Sequence, residues 1–487
     1  MKPWATNWFP HNSAYPRALL LCIALAGCHS LPLAALISSD APTVARLGDP
    51  VPTAAQFIDL PTALARAGVD NPTIALAEEA VRTSRAEQMA ARALLFPTLD
   101  LGANYRLHRG NLLSAQGVIT DVNTQSLYGG FGADAKGGGT VAVPGLRLVA
   151  HLADALNAPQ AAQQRVVQSR FDADATRNHI LLEVGLRYLA LAEAQARRAA
   201  YQQSLQEFGA IESLTTQFAN AQQGREADAD RARSEKLLLL AQAQRTQEEI
   251  GVAAAELARL LNLDPSLPLR PADSVPPLLE LVNTNIHVQG LLAEAMASHP
   301  EIVARNAEVT YQEIRLRQER MRPFLPLVAV GFSAGEFGGG NVDTTARLGS
   351  FRARTDLEVV AVWSLQNAGA GNRAIQNIAR SEWEQAQLER ARIIDRIRRE
   401  VVEAKSQVEA ARQEMNLSRS RVETSQSAFT HDLTRAKNLQ GRPIELLRSA
   451  NQLAAARQDL LHAMIAYSQA QLQLFTALGN SPGRPAN

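Results

Sequence analysis

Cysteine is almost absent: Cys22 and Cys28 are the only two in 487 residues, and both fall near the N-terminus. That excludes a disulfide framework and a cysteine-rich metal centre. Aromatic residues make up only 5% of the chain, and neither sign of charge dominates, with 49 Lys+Arg against 48 Asp+Glu. Such a balance offers no basic surface for nucleic acid, which usually appears as a pI above about 9. Catalytic signatures are missing as well. There is no H-E-x-x-H, P-loop, G-x-S-x-G or C-x-x-C pattern, and the nine histidines are scattered. The G-G-G runs lack the G-K-[ST] helix start of a phosphate cradle. Neither an enzyme nor a bound cofactor or metal is expected.

The uncharged run at 18–27, ALLLCIALAG, follows Lys2 and Arg17. It is half as long as a bilayer-spanning helix and suits the apolar core of an export signal. The run ends Leu25-Ala26-Gly27-Cys28, which resembles a bacterial lipobox, where cleavage leaves Cys28 as an acylated first residue. Ala24-Leu25-Ala26 is a competing A-x-A site for ordinary cleavage. A buried N-terminal helix is the third reading of the same run. With the lipobox, residues 1–27 are a signal peptide and 28–56 a lipid-anchored N-terminal extension.

The remaining chain is duplicated. Gln223-Gly224-Arg225 pairs with Gln440-Gly441-Arg442 at an offset of 217, which also sets Arg231 on Arg448 and Leu261-Asn262 on Leu478-Gly479. Asn71-Pro72 pairs with His299-Pro300, and Phe96-Pro97 with Leu325-Pro326, at offsets of 228 and 229. Four anchors in one order mark a repeat, with about 11 extra residues in the first half. Each half reads as helix, two strands, very long helix, shorter helix. The opening helix is expected from near Leu60 to Leu95, ended by Pro97, and its counterpart from about Val288 to Arg322. From Asn372 to Gln440 there is no glycine or proline, room for a helix of about 100 Å. Its first-half partner is expected over roughly Gln160–Gln222. Shorter helices follow at about 226–262 and 444–478. The domains are then a first repeat over 57–264, a Pro-rich linker over 265–287, a second repeat over 288–480 and a tail over 481–487. Helices this long need a bundle, a coiled coil or an oligomer to bury them.

Between the helices lie segments of period two. Leu99, Leu101, Ala103, Tyr105 and Leu107 alternate with Asp100, Gly102, Asn104 and Arg106. Leu146, Leu148 and Ala150 alternate less cleanly with Arg147, Val149 and His151. Val328, Val330 and Phe332 oppose Ala329, Gly331 and Ser333; Leu357, Val359, Ala361 and Trp363 oppose Asp356, Glu358, Val360 and Val362. About ten such residues make a tilted bilayer-spanning strand, with Trp363 placed for an interfacial girdle. A half-buried hairpin on a soluble domain gives the same pattern. The glycine-rich stretches 108–139 and 336–350 are expected to be long loops on one side. Leu99, Leu101, Tyr105, Val359 and Trp363 are the lipid-facing candidates, and Asn104 is expected to face water. Four strands cannot close a barrel, whose minimum is about eight, so copies of the chain must pool their strands.

These features resemble the outer-membrane efflux protein family, the TolC-type channels. The resemblance spans roughly residues 57–480. It rests on Asn71-Pro72, Pro97, Trp363-Ser364-Leu365 with Gly369, and Ala477-Leu478-Gly479. The first half departs, with His151-Leu152-Ala153-Asp154 for the Trp motif and Leu261-Asn262 for Leu-Gly. The resemblance implies a mostly α chain with a transmembrane β part, assembled as a homotrimer. Its 12-stranded β-barrel would sit in outer-membrane lipid, continued by a 12-helix α-barrel through the periplasm. It further implies an exit duct for efflux or type I secretion, working with a periplasmic adaptor and an inner-membrane pump. A periplasmic adaptor and a coiled-coil envelope scaffold are the alternatives; the two helical pairs and two strand pairs count against them. In the resembling channels a ring of carboxylates at the start of the final helix narrows the periplasmic entrance. Here that ring falls on Glu445, with Asp228 as its repeat-equivalent and Asp230 beside it. Arg225, Arg231, Arg442 and Arg448 lie near enough in sequence to pair with them. Acids also gather at helix N-termini simply because the dipole favours them.

Overall fold

The computed structural model describes residues 56–135, 141–273, 275–344, 348–349, 351–438 and 440–483. Cys28 and the expected signal peptide lie outside the described residues. The first half runs β1 (Gln56–Ile58), α1 (Leu60–Asp70), α2 (Pro72–Ala93), β2 (Thr98–Leu99), β3 (Leu101–Leu113), β4 (Ile119–Ala135), β5 (Val141–Pro144), β6 (Leu146–His151), α3 (Leu152–Asn220) and α4 (Glu226–Leu260). The second runs β7 (Leu269–Pro271), α5 (Val288–Ser298), α6 (Pro300–Met321), β8 (Leu327–Asn341), β9 (Arg352–Val362), α7 (Ala370–Lys437) and α8 (Pro443–Ala477). The duplication is visible in this order. β7, from the proline-rich segment, pairs in parallel with β1.

Each expected opening helix is in fact two. Pro72 and Pro300 lack an N–H, so the helix restarts at them. Asn71 serves both sides of its break. Its Oδ1 accepts from the Thr73 N–H at 2.9 Å, and its Nδ2 donates to the Leu260 carbonyl at 2.8 Å. The start of α2 is thereby seated on the end of α4. His299 caps α6 likewise, accepting from the Glu301 N–H at 3.3 Å, and Gly479 at the end of α8 abuts it. Each half therefore has one unbroken helix of 69 or 68 residues and a companion made of a 35-residue and a 22-residue helix end to end. Asn262 (φ 54°) and Gly479 (φ 89°) close α4 and α8 in the left-handed region. Asparagine tolerates that conformation best after glycine, which accounts for the first-half departure at Leu261-Asn262.

α3 begins at Leu152, well before the expected Gln160, and runs through Pro159. Proline costs it one backbone bond, to the Ala155 carbonyl, in a ladder long enough to absorb the loss. The helices close around apolar clusters. Leu64, Val184, Tyr188, Leu257 and Leu261 pack in the first half, and Leu291, Ile397, Val401, Leu474 and Leu478 in the second. Each fully buried leucine contributes about 1.5–3 kcal/mol.

The larger sheet has four staves. β8 pairs with β6 from Leu327 to Phe332 and with β4 from Ala334 to Asn341, so β4 and β6 are parts of one stave. β2 and β3 form its outer neighbour, and β9 flanks β8 on the other side. Much of the expected glycine-rich loops is strand, with β3 and β4 joined by a short turn at 114–118. Glycine serves close approach here: a Cβ on Gly130 would stand 2.5 Å from the Gly335 Cα on the facing strand. The extra length of the first half lies in this region, since 98–151 is a longer span than 327–363. Among the described residues no helix is long and apolar enough to cross a membrane.

Candidate functional site

Strand register carries the apolar positions of all four staves onto one face. Leu99 stands opposite Leu146, Leu146 opposite Phe332, and Phe332 opposite Leu357. Leu148, Val330 and Val359 form the next row, and Ala150, Val328 and Ala361 the one after. Farther along, Leu101 pairs with Phe131 and Tyr105 with Leu127. Residues opposite one another on neighbouring strands share a face. Leu101 is 80% exposed, Leu99 and Val359 66%, and Tyr105 57%. An apolar sheet face this extensive marks a surface made for lipid or a partner. Trp363, 60% exposed, donates from Nε1 to the Phe324 carbonyl at 3.3 Å. Phe96 and Phe324 are also exposed where strands meet helices. Sequence reasoning missed these two, although each lies just ahead of a proline that opens a strand.

The departure at His151–Asp154 builds the junction between wall and helices. His151 Nδ1 caps α3 by accepting from the Ala153 N–H at 3.2 Å. Asp154 receives Arg322 and Gln318 from the end of α6, and Arg322 also bonds Glu319, at 2.8 Å. Partial burial raises the Asp154 carboxyl, but the hydrogen bonds from Arg322 and Gln318 outweigh it and hold the group below its ordinary value.

At the far end, Ile211 of α3, Ala232 of α4, Ala436 of α7 and Leu446 of α8 share one buried cluster, so the turns after α3 and α7 lie together. Asp228 is buried in the first turn of α4 and bonds Arg231 at 2.9 Å. Glu445, in the first turn of α8, lies 4.0 Å from Arg435 of α7. Within one chain, then, its cationic neighbour is Arg435. Asp230, Arg225, Arg442 and Arg448 are exposed. A groove of about 580 Å³ runs between α4 and α8, lined by Arg231, Glu235, Arg421 and Arg448. Behind the tip, hydrogen bonds from Lys236 and Arg233 hold the Glu212 carboxyl below its ordinary value. Arg457 of α8 donates from Nη1 to both Glu207 oxygens of α3, at 3.0 and 2.9 Å, tying the two halves together. Sequence spacing gave no sign of that pair, because its members lie in different halves. Among the described residues no three His, Cys, Asp or Glu side chains come together to hold a metal ion.

No protein-family model matches the sequence, and no curated protein matches it either. Solved structures do match the fold. The outer-membrane channel OprN superposes with a TM-score of 0.71 at 17% identity, over 87% of this chain and 90% of OprN. The Campylobacter jejuni CmeC outer membrane channel gives 0.70 at 15% identity, covering 86% and 85%. The outer membrane protein VceC of Vibrio cholerae gives 0.68 at 16% identity, covering 87% and 96%. The two-round order of helices and strands, the apolar sheet face and these superpositions together give the chain the fold of the TolC-type outer-membrane channels.

Proposed function

We propose that three copies of this chain pool their staves into a 12-stranded barrel in the outer membrane and their helices into a periplasmic tube, forming a passive exit duct. The observation that carries this is the four-stave sheet whose outward face is apolar and whose β3 and β9 sides are open edges. An open edge in lipid leaves backbone groups unpaired at several kcal/mol each, and copies of the same sheet would satisfy them. The structures it resembles include proteins named as outer-membrane channels. In this scheme a periplasmic adaptor and an inner-membrane pump deliver cargo to the helix tips. Glu445, Asp228 and Asp230 narrow the entrance there, and an acylated Cys28 adds a lipid anchor.

The test is direct. The protein extracted from outer membranes should run as a trimer in native mass spectrometry and conduct in planar bilayers, and its first peptide should carry lipid on Cys28. A monomer without conductance would rule the duct out. A mature N-terminus at Gly27 without lipid would remove only the anchor.

A further inference from the structure

The second stave contains an insertion that neither neighbour registers. β4 last pairs with β8 at Phe131 opposite Ala334, and β6 resumes at Leu146 opposite Phe332, leaving the single position Ser333 for everything between. On the other side Leu101 meets Phe131 and Leu99 meets Leu146, leaving only Asp100. Asp100 staples the neck through its backbone: its N–H donates to the Gly145 carbonyl at 2.7 Å, and its carbonyl accepts from the Gly132 N–H at 2.9 Å.

The contacts show which way the insertion goes. A Cβ on Gly102 would stand 2.8 Å from the Ala133 Cβ, and one on Gly331 would stand 2.9 Å from Pro144 Cγ. Both glycines alternate with the apolar outward residues, so Ala133 and Pro144 lie on the inner face. Asn104, on that same face, grips the insertion twice. Its Oδ1 accepts from the Ala135 N–H at 3.0 Å and its Nδ2 donates to the Ala135 carbonyl at 3.3 Å. Asn104 thus lies on the face opposite the apolar one, bonded to the insertion. Tyr128, Ala135 and Val141 are buried together against Phe337, a small apolar core on a face that elsewhere carries Arg354 and Asp356. Neck staple, double clamp and core hold residues 132–135 and 141–145 against the wall.

We infer that residues 132–135 and 141–145 form a constriction inside the strand barrel, separate from the helix tips, and that it restricts the cargo to small solutes. This rests on the trimeric barrel proposed above. Twelve strands about 4.8 Å apart and tilted about 40° enclose a radius of about 12 Å. A backbone layer lying on that wall stands about 5–10 Å inside it. Three such layers at one height leave a passage only a few ångströms in radius, too narrow for a folded polypeptide. Apart from Asp134, the described residues of the insertion are glycine, alanine, valine and proline.

Maleimides of graded size, added outside intact cells, test the constriction without depending on the helix tips. Thr124→Cys lies on the inner face beyond the insertion, and Ala329→Cys on the inner face on its helix side. Small and large reagents should label Thr124→Cys alike, whereas large ones should label Ala329→Cys at least about tenfold more slowly than small ones. Removing residues 133–145 joins Gly132 to Leu146 in register and should bring the two rates at Ala329→Cys to within about twofold. Equal labelling of Ala329→Cys by both sizes in the uncut chain would overturn the constriction, as would an unchanged size ratio after the deletion. If the deleted chain does not assemble, Asn104→Ala decides, and an unchanged ratio there would again overturn it. Failure of any reagent to reach Thr124→Cys would instead sink the barrel itself.

Discussion

Replacing His299 with asparagine should flatten the dependence of stability on pH below neutrality. His299 is 7% exposed at the joint between α8 and α6, and its Nδ1 accepts the Glu301 N–H. Only an unprotonated nitrogen can accept. Burial pushes the imidazole pKa down; the Glu301 carboxylate works against this and the Arg396 guanidinium adds to it. His179, Arg399, Glu400 and Glu403 line the adjoining cavity of about 430 Å³. In the unfolded chain histidine titrates near 6.5. Well above that value both states are neutral and the site adds no pH dependence. As the pH falls through about 6.5 the unfolded chain takes up a proton that the folded chain resists. Stability then drops by up to about 1.4 kcal/mol per pH unit per chain, until the lowered native pKa is reached. Asn71 fills the equivalent joint with an amide that does not titrate, so His299→Asn keeps a cap while removing the slope. Denaturant unfolding followed by helical circular dichroism at pH 8, 7, 6 and 5 would compare the two proteins. The same loss on acidification in both would refute the assignment.

Leu101→Arg or Val359→Arg should abolish trimers recovered from membranes, at about 2–4 kcal/mol per lipid-facing arginine, while Glu358→Arg on the opposite face should leave the yield unchanged. Glu445→Ala should weaken block by multivalent cations added at the helix tips in single-channel recordings; if block is unaltered, Asp228 and Asp230 are tested next. Asn71→Ala removes a helix cap and a buried donor together and should cost about 1–3 kcal/mol in denaturant unfolding, with Asn71→Asp recovering the cap alone.

That these residues share one apolar face of the sheet was legible because period two survives along the strands, as at Leu99, Leu101, Val359 and Leu357. Strand length was not legible. Glycine favours loops locally, and only the facing strand reveals that Gly130 is there to admit Gly335. The breaks at Asn71 and His299 were hidden by apolar spacing that continues across them, from Leu64 and Ala67 to Ile74. Pro159 misled in the opposite sense, since a long helix tolerates one proline that a short one would not. The insertion at 132–145 could be seen only from both its neighbours, through pairings distant in sequence. At the helix tips, helix starts were readable from the Q-G-R repeats, but the closeness of Glu445 to Arg435 depends on how α7 and α8 meet.

The joint at Asn71 also sets a timetable. α2 precedes α4 in the chain yet is seated on its end, and the bond that closes the joint spans 189 residues. The joint cannot close before the end of α4 is in place, whatever part of α2 has folded by then. α2 lies along α3, which precedes α4, so what is missing until then is only the seat of its first turn. The joint at Asn71 is therefore the last part of the first half that can close. A truncation within α4 would be felt first at the start of α2.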